Sequence, residues 1–165
     1  MKVVDIREYY QFSLNSADQK LVKLFLQDFK SCDLFFMYPN IPRDELEYAL
    51  GSFTDFISPN EGVLALMTRP SINMIWTLYS LRWKNRKDRQ HFRVFYQDIQ
   101  SGHLCTQDGI QGIRIQTILK GSLFLPLDGL SHKALKGILH FINNLTKLQS
   151  AVSFEMFLHL KKGDI

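Results

Sequence analysis

The sequence has no long uncharged segment and contains only two cysteines. The longest run without a charged residue is Pro70–Leu81, far shorter than the roughly 20 residues that a membrane-spanning helix needs. Charged residues from Asp5 onward interrupt the N-terminus, which argues against a secretory signal peptide. Cys32 and Cys105 lie in unrelated contexts, and such a pair is more typical of free thiols in a reducing compartment than of a disulfide. We therefore expect a cytoplasmic protein without a membrane partner.

The short motifs that carry catalysis, metal binding or nucleotide binding are absent as well. The sequence contains no GxSxG, HExxH or CxxC spacing, and neither cysteine lies in a known nucleophile signature. The closest cluster of possible metal ligands is His103, Cys105 and Asp108, which fits a polar loop better than a metal site. The segment 109–112 lacks the further glycine or the Lys-Ser/Thr pair of a phosphate-binding loop. We therefore assign no catalytic residue, metal or cofactor, and the sequence favours a non-catalytic protein.

The composition indicates a well-packed globular protein. Of its 165 residues, 45% are hydrophobic and 13% aromatic, including 13 Phe, which excludes an intrinsically disordered chain. A single globular domain over residues 1–165 is the expectation for this length. No internal repeat or linker divides the chain.

Three segments have the periodicity of amphipathic helices. The first begins with a capping box at Ser16 and Gln19 and ends before Tyr38-Pro39. The second begins at Ile41-Pro42, since proline suits a first helical turn, and it ends at Ser58-Pro59.

A glycine in the second helix and a cap on the third helix complete this part of the prediction. Gly51 lies in the middle of the second helix, where close packing against a neighbour would explain a glycine. Ser131 is the predicted N-cap of the third helix. The predicted buried stripe of that helix is Leu135, Ile138, Leu139, Ile142, Leu145 and Leu148.

Strand-forming residues occupy most of the remaining sequence. Residues 72–99 read as two long strands joined by a polar break at Lys84–Gln90, although a helix also fits part of the first arm. The other predicted segments are a strand at Val63–Met67, a polar connection at Gln100–Gly112, a strand over Ile113–Leu127 broken at Lys120–Ser122, and a final half-buried strand at Val152–Leu160.

This order of elements predicts an α+β fold with a mainly antiparallel sheet, on which two N-terminal helices and one C-terminal helix pack. An NTF2-like cone also has helices before a curved sheet. It is a topological analogy only, without motif support, and a fold does not define a function.

Positive charge is concentrated in residues 82–93, which we call the basic tip. This segment contains six Lys and Arg residues and one acidic residue, Asp88, so its net charge is +5, whereas the net charge of the whole chain is +4. The rest of the chain therefore sums to −1, and the basic tip accounts for the positive charge. Such a patch attracts anions. A solvated loop kept soluble by its charge is the plainer alternative.

The basic tip is the predicted contact surface, and three functions fit it or its surroundings. The first is a binding domain for a protein partner, as in an adaptor, an immunity-type inhibitor or a self-associating subunit. The second is nucleic-acid binding, with Trp83 or Phe92 stacking on bases. The third is a small-ligand or enzyme pocket inside a curved sheet. The candidate contact residues are Arg82, Trp83, Lys84, Arg86, Lys87, Arg89 and Arg93.

Overall fold

A computed structural model describes residues 16–53, 61–69, 72–85 and 89–149. These residues fall into two compact units, one of residues 33–93 and the other of residues 16–32 and 94–149. The elements in chain order are α1 (Ser16–Asp28), β1 (Phe36–Met37), α2 (Arg43–Gly51), β2 (Val63–Arg69), β3 (Ile72–Thr77), β4 (Ser80–Asn85), β5 (His91–Phe95), a 3₁₀ helix (Tyr96–Asp98), β6 (Ile99–Gln107), β7 (Ile110–Thr117), β8 (Ser122–Pro126) and α3 (His132–Gln149).

The strands form two antiparallel sheets rather than one. The larger sheet has the order β1-β2-β3-β4-β5, and the smaller has the order β6-β7-β8. The predicted α+β fold is therefore confirmed. The NTF2-like cone and the placement of all three helices on a single sheet are not confirmed.

The first arm of the predicted long hairpin is interrupted, so the continuous strand expected over residues 72–83 is wrong. β3 and β4 pair with each other through a tight turn at Leu78-Tyr79, with Trp76 opposite Leu81. The Thr77 hydroxyl oxygen holds this turn by accepting the backbone N–H groups of Tyr79 at 3.2 Å and Ser80 at 3.0 Å. A threonine side chain can close a turn in this way without glycine or proline.

The predicted polar connection at residues 100–112 is also wrong, because β6 and β7 form a hairpin there. Their turn consists of Asp108 and Gly109, with φ angles of +52° and +79°. Positive φ at both central residues is the signature of the turn that best joins two antiparallel strands, and Asp-Gly is a preferred sequence for it.

The third helix and the strand break before β8 are confirmed. α3 begins at His132, and the Ser131 hydroxyl accepts the N–H of Ala134 at 3.1 Å. The chain turns between Thr117 and Ser122, as predicted. Gly51, in contrast, is the last residue of α2 and has open space around it, so close packing does not explain it. The predicted strand at residues 152–160 lies outside the described residues.

We expect the Ser131→Ala substitution to lower the free energy of unfolding by about 1 kcal/mol, because the N–H of Ala134 loses its acceptor at the start of the helix. Urea denaturation followed by circular dichroism measures this change. Ser131→Asp restores an acceptor and should recover the wild-type value. An alanine variant as stable as the wild type would contradict the cap.

Each unit has its own apolar core. In the first unit, α2 packs on β2 and β3. The residues of that core cluster are Ile41, Leu46, Ala49, Phe53, Val63, Leu66 and Ile75. In the second unit, the ring of Phe141 from α3 meets the edges of Phe25 and Phe29 at centroid distances of 5.2 and 5.5 Å.

None of the helices within the described residues combines the length and the apolar character needed to cross a bilayer.

Candidate functional site

The basic tip lies where β4 leads into β5. The N–H of Asn85 donates to the carbonyl oxygen of Gln90 at 3.0 Å, which joins the ends of the two strands. Between them, Arg89 is exposed and has a φ of +58°. Arg86 and Lys87 lie outside the described residues. The chain therefore reverses at this position, in agreement with the predicted polar break.

Arg82 points into the protein rather than toward a partner. Its side chain is buried, with the residue only 1% exposed, and its Nη2 atom lies 3.4 Å from Oε2 of Glu61. The other carboxylate oxygen of Glu61 accepts the Ser80 hydroxyl at 3.2 Å. A buried guanidinium requires a carboxylate of this kind, because an unpaired buried charge is very costly. The charge of Arg82 is therefore compensated within the first unit.

Trp83 is buried as well, on the opposite face of β4. Trp83 is 0% exposed, and its ring stacks on the ring of Phe92 with 5.0 Å between centroids and 18° between ring planes. Side chains alternate along a strand, which is why Arg82 and Trp83 lie on opposite faces. The Trp83–Phe92 pair anchors β4 to β5 and does not present an indole ring for stacking on a base.

Lys84 is half-buried and bound to the end of α2. Its Nζ atom donates to the carbonyl oxygen of Ser52 at 3.0 Å, the residue that follows the helix. Carbonyl groups at a helix C-terminus carry partial negative charge and bind cations well. Arg93 is also half-buried. Among the described residues of the basic tip, Arg89 is thus the cation with the greatest exposure.

The structure therefore separates the predicted contact residues into two groups. Arg82 and Trp83 form the buried base of the hairpin. Residues 84–93 retain five cations and Asp88, a net formal charge of +4. Contact between residues 84–93 and a partner remains a prediction.

Glu61 is the residue of this site that sequence reasoning missed. It lies 21 positions before Arg82, in a segment where the sequence shows only a turn signal. A local signal nevertheless existed. Ser80 and Arg82 occupy alternating positions on the same face of an apolar strand, and polar side chains buried in this way need a polar partner.

Within the described parts of the chain, no three His, Cys, Asp or Glu residues come together as possible metal ligands. His103 and Cys105 are on β6, and Asp108 is in the turn that follows it. Neither cysteine forms a disulfide, and Cys32 is buried and Cys105 half-buried.

No protein-family model, curated protein or solved structure matches this chain. The function of the basic tip therefore has to be inferred from its own residues.

Proposed function

We propose that the protein is a non-catalytic binding domain that engages an acidic surface of a protein partner through residues 84–93 of the basic tip. The observation that carries this proposal is the fixed base of the hairpin. Trp83 stacks on Phe92 on one face of β4, and Arg82 pairs with Glu61 on the opposite face. A rigid base lowers the entropy that the loop loses when it binds.

The charge distribution supports a partner that is acidic. Opposite charges across an interface accelerate association and determine which partner is accepted. The cations of residues 84–93 outnumber the single Asp88 by four. Arg89 is exposed at the end of the hairpin, and arginine is among the residues most enriched at interface centres.

A protein partner is favoured over nucleic acid because of the aromatic residues. Single-stranded nucleic acids bind through aromatic rings on which bases stack. Trp83 is fully buried. Phe92 is half-buried, and the ring of Trp83 stacks on one face of its ring. Phosphate contacts alone would remain, and they supply affinity without this stacking contribution. The reduced thiols of Cys32 and Cys105, which form no disulfide, are consistent with function in the cytoplasm.

We expect the triple substitution Arg86→Glu, Lys87→Glu and Arg89→Glu to reduce recovery of the partner by about tenfold or more, since like charges facing each other across an interface cost several kcal/mol. The melting temperature should remain nearly unchanged, because exposed charges contribute little to stability. The measurement is a pulldown from native lysate at low and high salt, with and without nuclease, together with a thermal melt.

The matched control is a triple reversal of the same size at three exposed lysines, Lys20 and Lys23 on α1 and Lys30 just after it. It should leave recovery unchanged. Equal losses in both triple variants would show that only overall charge matters. A partner that disappears after nuclease treatment would indicate nucleic acid instead. Loss of folding in the basic-tip variant would show that the tip is structural.

A further inference from the structure

The turn between β7 and β8 presents two large aliphatic side chains to solvent. Ile118 is 58% exposed and Leu119 is 56% exposed, more than any other large hydrophobic side chain in the described part of the chain. Single exposed hydrophobic residues are common on protein surfaces, whereas these two are adjacent and form a small apolar patch. Ile118 and Leu119 are called the aliphatic turn below.

A buried carboxylate holds the aliphatic turn in place. Asp98 is buried, and its Oδ1 atom accepts the N–H of Ile118 at 2.9 Å and the N–H of Leu119 at 2.8 Å. The Thr117 hydroxyl accepts the N–H of Lys120 at 2.9 Å and donates to the carbonyl oxygen of Gly121 at 2.7 Å. These bonds fix the backbone of the turn. The two side chains are therefore a persistent part of the surface rather than a fluctuation.

Charge is distributed unevenly along this sheet. Residues 109–127 contain no Asp or Glu, and their only charged residues are Arg114 and Lys120. Lys120 belongs to the turn. Arg114 lies in the middle of β7, and its guanidinium donates both to the hydroxyl of Ser122 at 3.2 Å, where β8 begins, and to the side-chain oxygen of Gln107 at the other end of the sheet. Asp108 and Asp128 lie at the other end of the strands, roughly 25 Å away for an eight-residue strand. The carboxylate of Asp98 is buried, so the exposed charge at the turn is that of Lys120, whereas Asp108 and Asp128 are exposed at the other end of the sheet.

We propose that the aliphatic turn docks the protein on an anionic lipid surface, with Ile118 and Leu119 inserted among the headgroups and with Lys120 near the lipid phosphates. Anionic lipids attract cations at the membrane surface, and inserted apolar side chains add to this attraction. The acidic end of the sheet would point away from the membrane. The contact is peripheral, so it requires no membrane-spanning segment.

The small size of the aliphatic turn favours lipid over another protein. A stable protein interface buries at least roughly 1,200 Å² in total, which two adjacent side chains cannot provide by themselves. A bilayer accepts a projecting apolar group without a complementary pocket. Binding through two side chains should be weak and reversible, as it is for a single short lipid anchor.

Flotation of the purified full chain with vesicles tests the proposal. The vesicles are phosphatidylcholine alone and phosphatidylcholine with phosphatidylserine, at low salt. We expect binding to the phosphatidylserine vesicles. Ile118→Ser and Leu119→Ser should each lower partitioning by about tenfold, because each removes a large apolar side chain from the bilayer. The matched control is Ile110→Ser, since Ile110 is 40% exposed at the acidic end of the sheet, and it should bind as the wild type does.

Several results would overturn this inference. The first is that the wild-type protein stays in the soluble fraction with both vesicles. The second is that a double Ile118→Ser and Leu119→Ser variant floats as well as the wild type. The third is that the Ile110→Ser control loses as much vesicle binding as the variants of the aliphatic turn. Binding that is lost in Arg89→Glu and retained in Leu119→Ser would assign the lipid contact to the basic tip. A dimer in sedimentation that Leu119→Ser dissociates would assign the turn to self-association. Thermal melts confirm that each variant is folded.

Discussion

Replacing Glu61 with alanine should cost about 3–5 kcal/mol of unfolding free energy, because it leaves the Arg82 guanidinium buried without its carboxylate. The Arg82 side chain is 2% exposed and that of Glu61 is 11% exposed, so water cannot replace the lost interaction. The same substitution also removes the acceptor of the Ser80 hydroxyl. Urea denaturation monitored by tryptophan fluorescence measures the effect, since Trp76 and Trp83 are both buried in this unit.

An exposed ion pair of the same kind provides the matched control. Arg43 and Glu47 are 3.2 Å apart on α2, with side chains 75% and 51% exposed. Glu47→Ala should cost less than about 1 kcal/mol, because solvent and salt already weaken such a pair. Similar losses for Glu47→Ala and Glu61→Ala would contradict the role of burial.

A double-mutant cycle separates the Arg82–Glu61 pair from the other contacts of each residue. Arg82→Met removes the guanidinium and keeps an apolar side chain of similar length. Glu61→Ala should cost clearly less in the Arg82→Met background than alone, since no buried cation remains to be stranded. Additive effects would show that the two side chains are not energetically coupled in the folded protein.

The sequence predicts elements well where the signals are local, and α3 is the clearest example. Its apolar periodicity and the N-cap at Ser131 both lie within the helix or next to it. The Asp108-Gly109 turn is also a local signal. It was outweighed because β6 is polar along much of its length, and eight of its nine residues are exposed or half-exposed on a sheet of three strands. An edge strand with a solvated face does not show the apolar alternation that identifies buried strands.

The sequence is less informative where a turn lacks glycine and proline, or where a feature depends on distant residues. Leu78-Tyr79 reads as the middle of an apolar strand, and the turn there depends on the Thr77 side chain. The basic tip was predicted from its charge, which is local. Which of its side chains face inward was not predictable, because the burial of Arg82 depends on Glu61 and that of Trp83 depends on Phe92.

Two glycines in helices also show that the sequence does not reveal contacts between distant residues. Gly51 and Gly137 both lie in helices, and the sequence predicts close packing at Gly51. A Cβ atom on Gly51 would have nothing within 4 Å, whereas one on Gly137 would lie 2.0 Å from the carbonyl oxygen of Asp28. The neighbour of Gly137 is 109 positions away in the chain. Only the packing of α1 against α3 distinguishes the two glycines.

Replacing Gly137 with alanine should therefore destabilise the protein by about 3 kcal/mol, at the upper end of what overpacking costs. The new methyl group meets a backbone carbonyl at the end of α1, which cannot rotate away as a side chain could. α1 and α3 must separate, and that movement also strains the hydrogen bond of 2.8 Å between Nδ1 of His140 and Oδ2 of Asp28. Urea denaturation followed by circular dichroism measures the loss.

Gly51→Ala is the matched control, because it makes the same chemical change in a helix without a steric neighbour. It should leave the stability unchanged or raise it by up to about 1 kcal/mol through the greater helix propensity of alanine. His140→Ala adds a second comparison. It should cost less in the Gly137→Ala background than in the wild type, since the helices have already separated and the hydrogen bond is weakened. A Gly137→Ala variant as stable as Gly51→Ala would mean that α1 and α3 do not cross at Gly137.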